Sequence, residues 1–553
     1  MTGGAQRLEF GALDERALAV RVQTRDGVGL ATDVYLPPGA GRVPAVLVRL
    51  PYDKSGPFSF MPRLAGEFLD RGYAFLVQDV RGKIRSEGET FAFVHEARDG
   101  YDTLDWIVAQ PWSNGAVGMF GDSYYGFTQW AAAATGHPAL RALVPRMTTT
   151  RVGPDWMFKQ GVFALWSMAE WASGTWIDNA LYEVEFDWST RPLADVVEAA
   201  VGRPSASFDR WIAAGPGDPF WTDGLYGGPY PHAAVRVPVL HSGGWWDLFS
   251  RGQVADWVDC RRAGAPGQHL IMSATDHFDD PLLPDGEPVR DFIDDAEALE
   301  DFVPVYLGPA LEFFDRHLLG RGGPRLAPVR WELAGAGLQE ADDWPPPAAR
   351  PLTLYLGDGA RAARSPDGGA LADRPDSSSV AVEWVHDPAD PVPSLVADPW
   401  RPLLGLPDER EVELRPDVLT FTAEPSPAPL DLAGPVEATL WVGSSATSMH
   451  VVARLVDVYP SGRARRIVEG AALVETSGGE TAAVVDLGPT GYRLPAGHRL
   501  RLEVASSSFP SFAVHPGTGD DPLRATSVER NTQRLRTGGS SPSLLTLTLL
   551  PGG

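Results

Sequence analysis

Cysteine is almost absent from this sequence of 553 residues. Cys260 is the single cysteine, so a disulfide within the chain is excluded and a metal site built from cysteine thiolates is not expected. Long apolar runs are missing as well, and the first twenty residues mix apolar side chains with polar and acidic ones. The sequence therefore predicts neither a signal peptide nor a membrane span, and a cytoplasmic protein is the default expectation.

Basic residues are scarce relative to acidic ones. The chain has 47 Lys and Arg against 72 Asp and Glu, which gives a formal net charge of −25. Nucleic acids and anionic membranes both attract basic protein surfaces, so neither is expected as a partner. What is present is ordinary for a globular protein, with 44% apolar and 22% charged residues.

The order of apolar segments divides the chain into four parts. Between residues 43 and 147, strand-like runs alternate with segments of helical spacing, which is typical of a parallel sheet with helical crossovers. Trp- and Phe-rich helical stretches then predict a cap over the carboxyl edge of the sheet, where ligands bind in open α/β sheets. Later, short alternating segments separated by turn residues predict a β-sandwich or jelly roll. The predicted parts are an α/β core (1–147), a helical cap (148–234), the second part of the core (235–349) and the jelly roll (350–553).

One stretch carries the clearest catalytic signal. The apolar run Ala116 to Phe120 predicts a buried strand, and the Ala-rich run from Tyr124 to Ala134 favours helix. Ser123 lies on the turn between them, so its hydroxyl should emerge at a helix N-terminus, where an oxyanion can be stabilised. This is the pattern of a nucleophile elbow, although Tyr125 occupies the usual second glycine position and Gly126 follows it. A serine that only caps a core helix is the alternative.

A nucleophilic serine needs a base and a residue that orients the base. In serine hydrolases built on an α/β sheet, the chain order is Ser, then Asp or Glu, then His, each after a strand. Two loops fit this order. The strand Val237–Leu240 leads into Asp247, and the strand His269–Ser273 leads into His277.

Other polar residues fit the base or acid role less well. Asp256 would fall within a helix, His241 precedes the candidate acid, and His317 lies among charged neighbours on a helix that predicts a surface position. A metal site is a further alternative, although no second motif accompanies it at helical spacing. Its ligands would be Asp276, His277, Asp279 and Asp280.

Tyr52 follows the strand at 43–50, in Leu50-Pro-Tyr-Asp-Lys54. That loop supplies the second oxyanion donor in enzymes of this type, so the phenol could donate where others use a backbone N–H. A tyrosine packed at the sheet edge is equally well supported by chemistry alone. The 18 tryptophans, several of them between 156 and 257, could line a large pocket or, as is commoner, pack in the core.

Longer motifs are spread over most of the chain. They are Arg49–Lys54, Gln78–Gly82 with Ser86-Glu-Gly88, Gly121–Gly126, Gly244–Asp247, Phe313–Arg316, His386–Pro393, Asp417–Phe421 and Ser506–Pro510. With these motifs the chain resembles the CocE/NonD family of serine hydrolases. The resemblance implies an α/β-hydrolase core with a mostly parallel sheet, a helical cap insertion and a C-terminal β jelly roll.

The resemblance also implies roles for individual residues. Ser123 would be the nucleophile, Asp247 the acid and His277 the base, with the Tyr52 hydroxyl and the Tyr124 backbone N–H as the oxyanion hole. No metal or other cofactor is implied. The loop before the base departs from the family pattern, because it reads Ser273-Ala-Thr-Asp-His277 instead of Gly-Pro-Trp-x-His. This departure is expected to reshape the leaving-group pocket.

Substrate contacts are implied as well. Phe249, two residues after the acid, matches an aromatic residue that contacts the acyl group in family members. Trp156, Trp166 and Trp246 are further candidates for the substrate pocket.

The expected reaction is cleavage of a small-molecule carboxylic ester through a covalent acyl-enzyme. An amidase or an aminoacyl or X-prolyl dipeptidyl peptidase is an alternative, which needs carboxylates to hold a substrate ammonium, and Asp155, Asp178 and Glu170 are the candidates. An acyltransferase using the same acyl-enzyme and a non-catalytic binding protein are the others. The acyl and leaving groups and any homo-oligomer are left open.

Overall fold

The computed structural model describes residues 5–551 except 40, 285–286, 288, 294, 324, 364–366 and 478. The strands of its first part are β1 (Ala5–Arg7), β2 (Leu18–Gln23), β3 (Gly29–Tyr35), β4 (Val43–Leu50), β5 (Ala74–Asp79), β6 (Ser113–Asp122), β7 (Leu140–Arg146), β8 (Phe158–Lys159), β9 (Val162–Phe163), β10 (Tyr182–Val184), β11 (Val239–Gly244), β12 (Gln268–Ser273), β13 (Val329–Leu333) and β14 (Gly337–Ala341). The helices are α1 (Met61–Arg71), α2 (Glu96–Val108), α3 (Ser123–Ala134), α4 (Leu165–Thr175), α5 (Val196–Val201), α6 (Ala206–Ala214), α7 (Asp223–Tyr226), α8 (Ser250–Arg262), α9 (Ala296–Leu318) and α10 (Arg410–Glu413). The later strands are β15 (Arg350–Gly357), β16 (Gly369–Ala372), β17 (Val380–His386), β18 (Leu419–Thr422), β19 (Leu430–Ser444), β20 (Ser448–Val458), β21 (Ala464–Glu475), β22 (Glu480–Leu494), β23 (Arg499–Ala505), β24 (Asn531–Thr537) and β25 (Leu544–Leu549).

A central sheet organises the first part of the molecule. In the described chain its strand order is β14-β13-β12-β11-β7-β6-β4-β5-β3-β2. The strands from β13 to β5 are parallel to their neighbours, and the antiparallel strands lie at the two edges. Inner strands such as β4 and β5 are almost continuously apolar because both of their faces are buried. The predicted alternation of parallel strands and helices is confirmed.

Helices cover both faces of this sheet. On α1, the buried residues Met61, Leu64, Ala65 and Phe68 recur at the spacing of one helical face. The spacing of the sequence predicts the last helix over 309–319, but α9 begins at Ala296. Asp295 caps its N-terminus by accepting hydrogen bonds from two backbone N–H groups, and the helix continues through both of its prolines.

Between β7 and β11 the chain forms a cap that is helical but often interrupted. It contains a π-helical turn at Val152–Met157 and the helices α4 to α7. Its strand β10 pairs with β1, so the described N-terminal strand lies against the cap. Trp171 stacks on Trp211 with ring centroids 4.9 Å apart. Trp176 and Trp211 are buried, so part of the cap's tryptophan content is ordinary core.

The last part of the chain is a β jelly roll made of β15 to β25. Strand β17 alternates buried and exposed residues, as expected for a strand with one face on an apolar core. Strands β13 and β14 still belong to the central sheet, and β15 is the first strand of the jelly roll. The change of sheet therefore falls between residues 341 and 350, around the Pro-rich stretch Trp344–Pro347. None of the described helices combines the length and apolar character needed to cross a bilayer.

Candidate active site

The nucleophile elbow has the local geometry that its motif predicts. Strand β6 ends at Asp122, and Ser123 begins α3 with a left-handed backbone, at φ +52°. A Cβ on Gly121 would lie 2.0 Å from the ring of Tyr125, and a Cβ on Gly126 would lie 2.5 Å from Cγ2 of Thr148. Both glycines are therefore required by close approach. Gly126 comes one residue later than the second glycine of the usual Gly-x-Ser-x-Gly pattern. Residue 126, in this protein, is the position that lies against Thr148, just after β7.

Asp247 and His277 meet at the carboxyl edge of the sheet. They follow β11 and β12, which are parallel neighbours, so their loops emerge side by side. The N–H of Trp246 donates to the carbonyl of Thr275 at 3.0 Å and joins the two loops. Nδ1 of His277 lies 2.8 Å from Oδ1 of Asp247, whose side chain is fully buried. A carboxylate can only accept, so Nδ1 donates and Nε2 is left to act as a base.

The competing base and acid candidates have other partners. Asp256 lies on α8 and accepts a hydrogen bond from the hydroxyl of Thr150 at 2.6 Å. Nε2 of His241 lies 2.9 Å from the side-chain oxygen of Gln268, and burial lowers the pKa of His241 to about 4. His317 is half-buried, and its ring centroid lies 4.5 Å from that of Phe313.

The predicted metal cluster does not converge on one point. Its side chains bond to different groups: Asp276 to the N–H of Leu403, His277 to Asp247, Asp279 to Arg146 and Asp280 to Arg401. Among the residues that the structure describes, no group of three or more His, Cys, Asp or Glu side chains is arranged to hold a metal ion.

Tyr52 is hydrogen-bonded to the cap. Nε1 of Trp171, on α4, donates to the phenol oxygen at 2.9 Å. An indole N–H can only donate, so it occupies an acceptor site and leaves the phenol proton to donate. Burial raises the pKa of Tyr52 to about 12, which keeps the phenol neutral. The backbone N–H of Tyr124 lies in the first turn of α3, where N–H groups have no acceptor within the helix.

A cavity of about 500 Å³ opens beside Ser123, His277 and Tyr52. The α/β core, the cap and the jelly roll all supply residues to its walls. The apolar and aromatic lining residues are Leu8, Phe58, Phe60, Tyr125, Trp171, Leu181, Tyr182, Val184, Phe278, Phe292, Ile293, Phe302, Tyr306 and Trp400. A mainly apolar cavity with a few convergent polar groups is the usual form of a small-molecule site.

Four residues that the sequence assigned to substrate binding do not line this cavity. Trp156 and Trp246 line a separate cavity of about 170 Å³ beside Asp247. The ring centroid of Phe249 lies 5.4 Å from that of His277 and 4.7 Å from that of Trp156, so Phe249 packs between these two side chains. Trp166 packs against Trp188 instead, with ring centroids 6.3 Å apart.

Two other tryptophans, Trp171 and Trp400, line the cavity beside Ser123. Trp171 was visible as one of several cap tryptophans, but nothing in the sequence separates it from Trp166, because both lie on α4. Trp400 had no signal, because it comes from the jelly roll, 123 residues after His277. Its ring lies 5.2 Å from that of His277.

Residues 398–403, which we call the strap, carry Trp400 into the site. Arg401 donates to Asp280 at 2.7 Å and to Asp291 at 2.7 Å. The N–H of Leu403 donates to Asp276 at 3.1 Å. Asp276 belongs to the stretch Ser273–His277, where the sequence differs from the family pattern. The difference therefore gives the histidine loop a carboxylate that binds it to the strap.

One of the three candidate carboxylates for a substrate ammonium reaches the cavity. Glu170 lines it together with Asp398, and Oε2 of Glu170 accepts a hydrogen bond from Nε1 of Trp400 at 3.1 Å. Burial, with a smaller contribution from Asp398, raises the pKa of Glu170 to about 7. Asp178 is paired with Arg203, Asp155 lies near two arginines, and neither carboxylate lines the cavity.

Known proteins match this chain over nearly its whole length. Residues 26–279 match the X-Pro dipeptidyl-peptidase (S15 family), and residues 323–546 match the X-Pro dipeptidyl-peptidase C-terminal non-catalytic domain. Cocaine esterase from Rhodococcus sp. (strain MB1 Bresler) is 31% identical, over 96% of this chain and 98% of that protein. The chain belongs to the CocE/NonD family of serine hydrolases.

Solved structures extend this assignment to the fold. An α-amino acid ester hydrolase labelled with selenomethionine is 27% identical, with a TM-score of 0.79 and coverage of 98% of each chain. An aminopeptidase from a marine sediment archaeon, Thaumarchaeota archaeon, is 24% identical with the same TM-score and coverage. The fold class predicted for this CocE/NonD hydrolase, an α/β-hydrolase core with a cap and a C-terminal jelly roll, is confirmed.

Proposed function

We propose that the chain hydrolyses a carboxylic ester of a small molecule through a covalent acyl-enzyme. Ser123 attacks the ester carbonyl while His277 takes the serine proton, and His277 returns that proton to the leaving alcohol. Water then attacks the acyl-enzyme by the same route and releases the acid. Asp247 holds the imidazole in the required tautomer. The observation that carries the proposal is the 2.8 Å contact between Asp247 and His277, with His277 and Ser123 on one cavity.

The tetrahedral intermediates place a negative charge on the former carbonyl oxygen. The phenol of Tyr52 and the backbone N–H of Tyr124 are the proposed donors. Preset donors in a site with little water stabilise this charge more than water would, because they need no reorientation during the reaction. The Trp171 hydrogen bond supports the proposal, because it fixes the direction of the Tyr52 proton.

An ester is the favoured substrate class for two reasons. The relative with 31% identity is an esterase that is named for cocaine. The walls of the cavity are mainly apolar and aromatic, which suits uncharged acyl and alcohol groups.

A fluorophosphonate probe and a panel of p-nitrophenyl esters test the mechanism. The probe should add once, at Ser123, and Ser123→Ala should be unlabelled and inactive while it keeps the wild-type fold. Labelling of another residue with Ser123 untouched would refute the proposal. Product analysis with an added alcohol separates hydrolysis from acyl transfer, since a transferase would form the new ester in preference to the acid.

Hydrolysis of an aminoacyl ester or amide is a second candidate, favoured by Glu170 and Asp398 on the cavity wall. A substrate ammonium would pair with ionised Glu170. Because the pKa of Glu170 is raised to about 7, KM for such a substrate should fall as the pH rises through 7. Glu170→Gln should abolish that trend. The matching substrate without its amino group should show no trend in either enzyme, and an equal KM for both substrates would exclude this candidate.

A further inference from the structure

We propose that Arg146 is a positioning residue that holds the loop of the catalytic base against the nucleophile elbow. Its guanidinium acts through two carboxylates, Asp122 and Asp279, and does not touch the substrate. This inference rests on the proposed function, because it assigns Arg146 a task in that mechanism.

Arg146 lies at the carboxyl end of the strand between those of the nucleophile and the acid. In the central sheet β7 is the neighbour of β6, which leads to Ser123, and of β11, which leads to Asp247. Arg146 is the last residue of β7, in register with Asp122 on one side and with Ser242 on the other. Its side chain therefore starts at the edge of the sheet from which the loops of the proposed triad emerge.

The guanidinium bonds to each of the three segments that carry the triad. Nε donates to Oδ1 of Asp122, directly before the nucleophile, at 2.9 Å. One terminal nitrogen donates to the hydroxyl of Ser242 on β11 at 3.2 Å. The other donates to Oδ2 of Asp279, two residues after His277, at 2.8 Å. Arginine suits these contacts because its planar fork offers donors in several fixed directions.

Asp279 belongs to the turn that carries the base. Its N–H donates to the carbonyl of Asp276 at 3.1 Å, which closes a four-residue turn with His277 inside it. The strap fixes this turn to the jelly roll through Asp276, and Arg146 fixes it to the elbow through Asp279. The position of His277 relative to Ser123 therefore depends on the Arg146 bridge.

The bridge is enclosed by protein. The Arg146 side chain is 8% exposed, and its guanidinium carbon lies 4.4 Å from the ring centroid of Tyr306 on α9. Asp122 and Asp279 line the substrate cavity, whereas Arg146 lies outside the described lining. Charged hydrogen bonds with little access to water are screened weakly, so both carboxylates are held at short distances.

The distance between the nucleophile and the base limits the chemical step. Proton transfer requires the serine and histidine side chains at hydrogen-bond reach, roughly 2.6–3.2 Å between heavy atoms. A misplacement of about 1 Å can lower the rate by about 10²-fold. Loss of the bridge should therefore lower kcat by about that factor. KM should change little, because the aromatic walls of the cavity are retained.

Arg146→Met removes the guanidinium and keeps much of the side-chain volume. The measurements are kcat and KM on p-nitrophenyl butyrate, together with the thermal unfolding midpoint. We expect the loss in kcat at a nearly constant KM. A higher KM with wild-type kcat would overturn the inference, because it would place Arg146 in substrate binding.

Arg81→Met is the matched control. Arg81 is equally buried and also bridges two carboxylates, with Asp26 at 3.0 Å and Asp99 at 2.6 Å. These three residues lie outside the described cavity lining. The control should unfold at a lower temperature and keep a kcat close to that of the wild type. Equal losses of kcat in both variants would overturn the inference, because they would reflect general destabilisation.

Two unpaired carboxylates are the other route by which Arg146→Met could lower activity. The triple variant Asp122→Asn/Arg146→Met/Asp279→Asn removes both charges without restoring the bridge. Asparagine tolerates the left-handed backbone of residue 279, at φ +59°. We expect kcat to stay about 10²-fold below the wild type. Recovery of the wild-type kcat would overturn the positioning role.

Arg146→Lys keeps the charge, but a single ammonium cannot reproduce the directions of the fork. A loss in kcat of about 10-fold is expected for this variant. If Arg146→Met fails to fold, Arg146→Lys decides, since a folded Lys variant with wild-type kcat would overturn the inference.

Failure of this inference is distinguishable from failure of the proposed function. An active Ser123→Ala enzyme would overturn both. An inactive Ser123→Ala enzyme, combined with wild-type kcat in Arg146→Met, would overturn only the role of Arg146.

Discussion

The central sheet and the jelly roll contribute to the same cavity in different ways. The sheet supplies Ser123, Asp247 and His277, each just after a parallel strand. The jelly roll supplies the strap, which brings Trp400 to the cavity and Arg401 to the histidine loop. The comparison teaches that the proposed reactive groups lie at the ends of strands. The shape of the cavity depends on a segment from a part of the chain whose matching family is described as non-catalytic.

The contribution of the strap is compatible with the description of the C-terminal family as non-catalytic. Arg401 is mostly buried, and its partner Asp280, three residues after His277, is almost fully buried. Removal of one partner of a buried ion pair typically costs about 3–5 kcal/mol, because the other charge is left uncompensated. The jelly roll can therefore influence catalysis through the placement of a loop, without donating a reactive group.

The largest effect should come from the sheet. We expect His277→Ala to lower kcat by about 10⁴-fold or more while substrate binding survives, because no other group can take the serine proton. Steady-state kinetics on a p-nitrophenyl ester would measure this. His241→Ala is the control and should retain activity if it folds. A dead His241 variant with an active His277 variant would contradict the assignment, and strong inhibition by EDTA would revive the metal alternative.

Tyr52→Phe should have the next largest effect. It keeps the ring against Phe58 and Tyr125 but removes the donor. Loss of one oxyanion donor lowers kcat by about 10²–10³-fold, with little change in KM, because the ground-state carbonyl needs the bond less. The measurement is kcat and KM on an ester whose chemical step limits the rate. A folded variant with near wild-type kcat would mean that the second donor is a backbone N–H.

Arg401→Met tests the jelly-roll side of the comparison. It leaves Asp280 and Asp291 without their cation, so the histidine loop should shift and kcat/KM should fall by roughly 10–100-fold, as small misplacements of catalytic groups do. Arg415→Met is the control, since Arg415 pairs with Asp390 and Asp417 outside the cavity lining. Equal losses of activity in both variants would mean that the effect is general destabilisation of the jelly roll.

The smallest effect should be a change of substrate preference. Trp400→Ala removes a wall of the cavity and should change the ratio of kcat/KM values between short and long acyl esters by about 10-fold, as pocket contacts commonly do. Trp166→Ala should leave that ratio unchanged, because Trp166 packs against Trp188 away from the cavity. The panel of p-nitrophenyl esters serves for both variants. A change of ratio in Trp166→Ala alone would restore the original assignment of Trp166 to the substrate pocket.

How well each feature can be predicted from the sequence depends on how far apart along the chain the residues that specify it lie. The elbow is local: two glycines and a serine within six residues specify the turn, and each glycine meets a close contact that excludes a side chain. Asp247 and His277 lie 30 residues apart, yet each follows a strand, and parallel strands that are neighbours in a sheet end at the same edge. The length of α9 was less readable, because its two internal prolines are normally signs of a helix boundary.

By itself the sequence determined the succession of strands and helices along the chain, the turn that carries Ser123, and the two loops that carry Asp247 and His277. These features depend on apolar periodicity and on residues that are close along the chain or follow consecutive strands. Only the tertiary structure decided which aromatic residues face the substrate. Trp166 and Trp171 share one helix and one residue type, and the strap reaches the cavity from the jelly roll, so their positions depend on how the core, the cap and the jelly roll pack together.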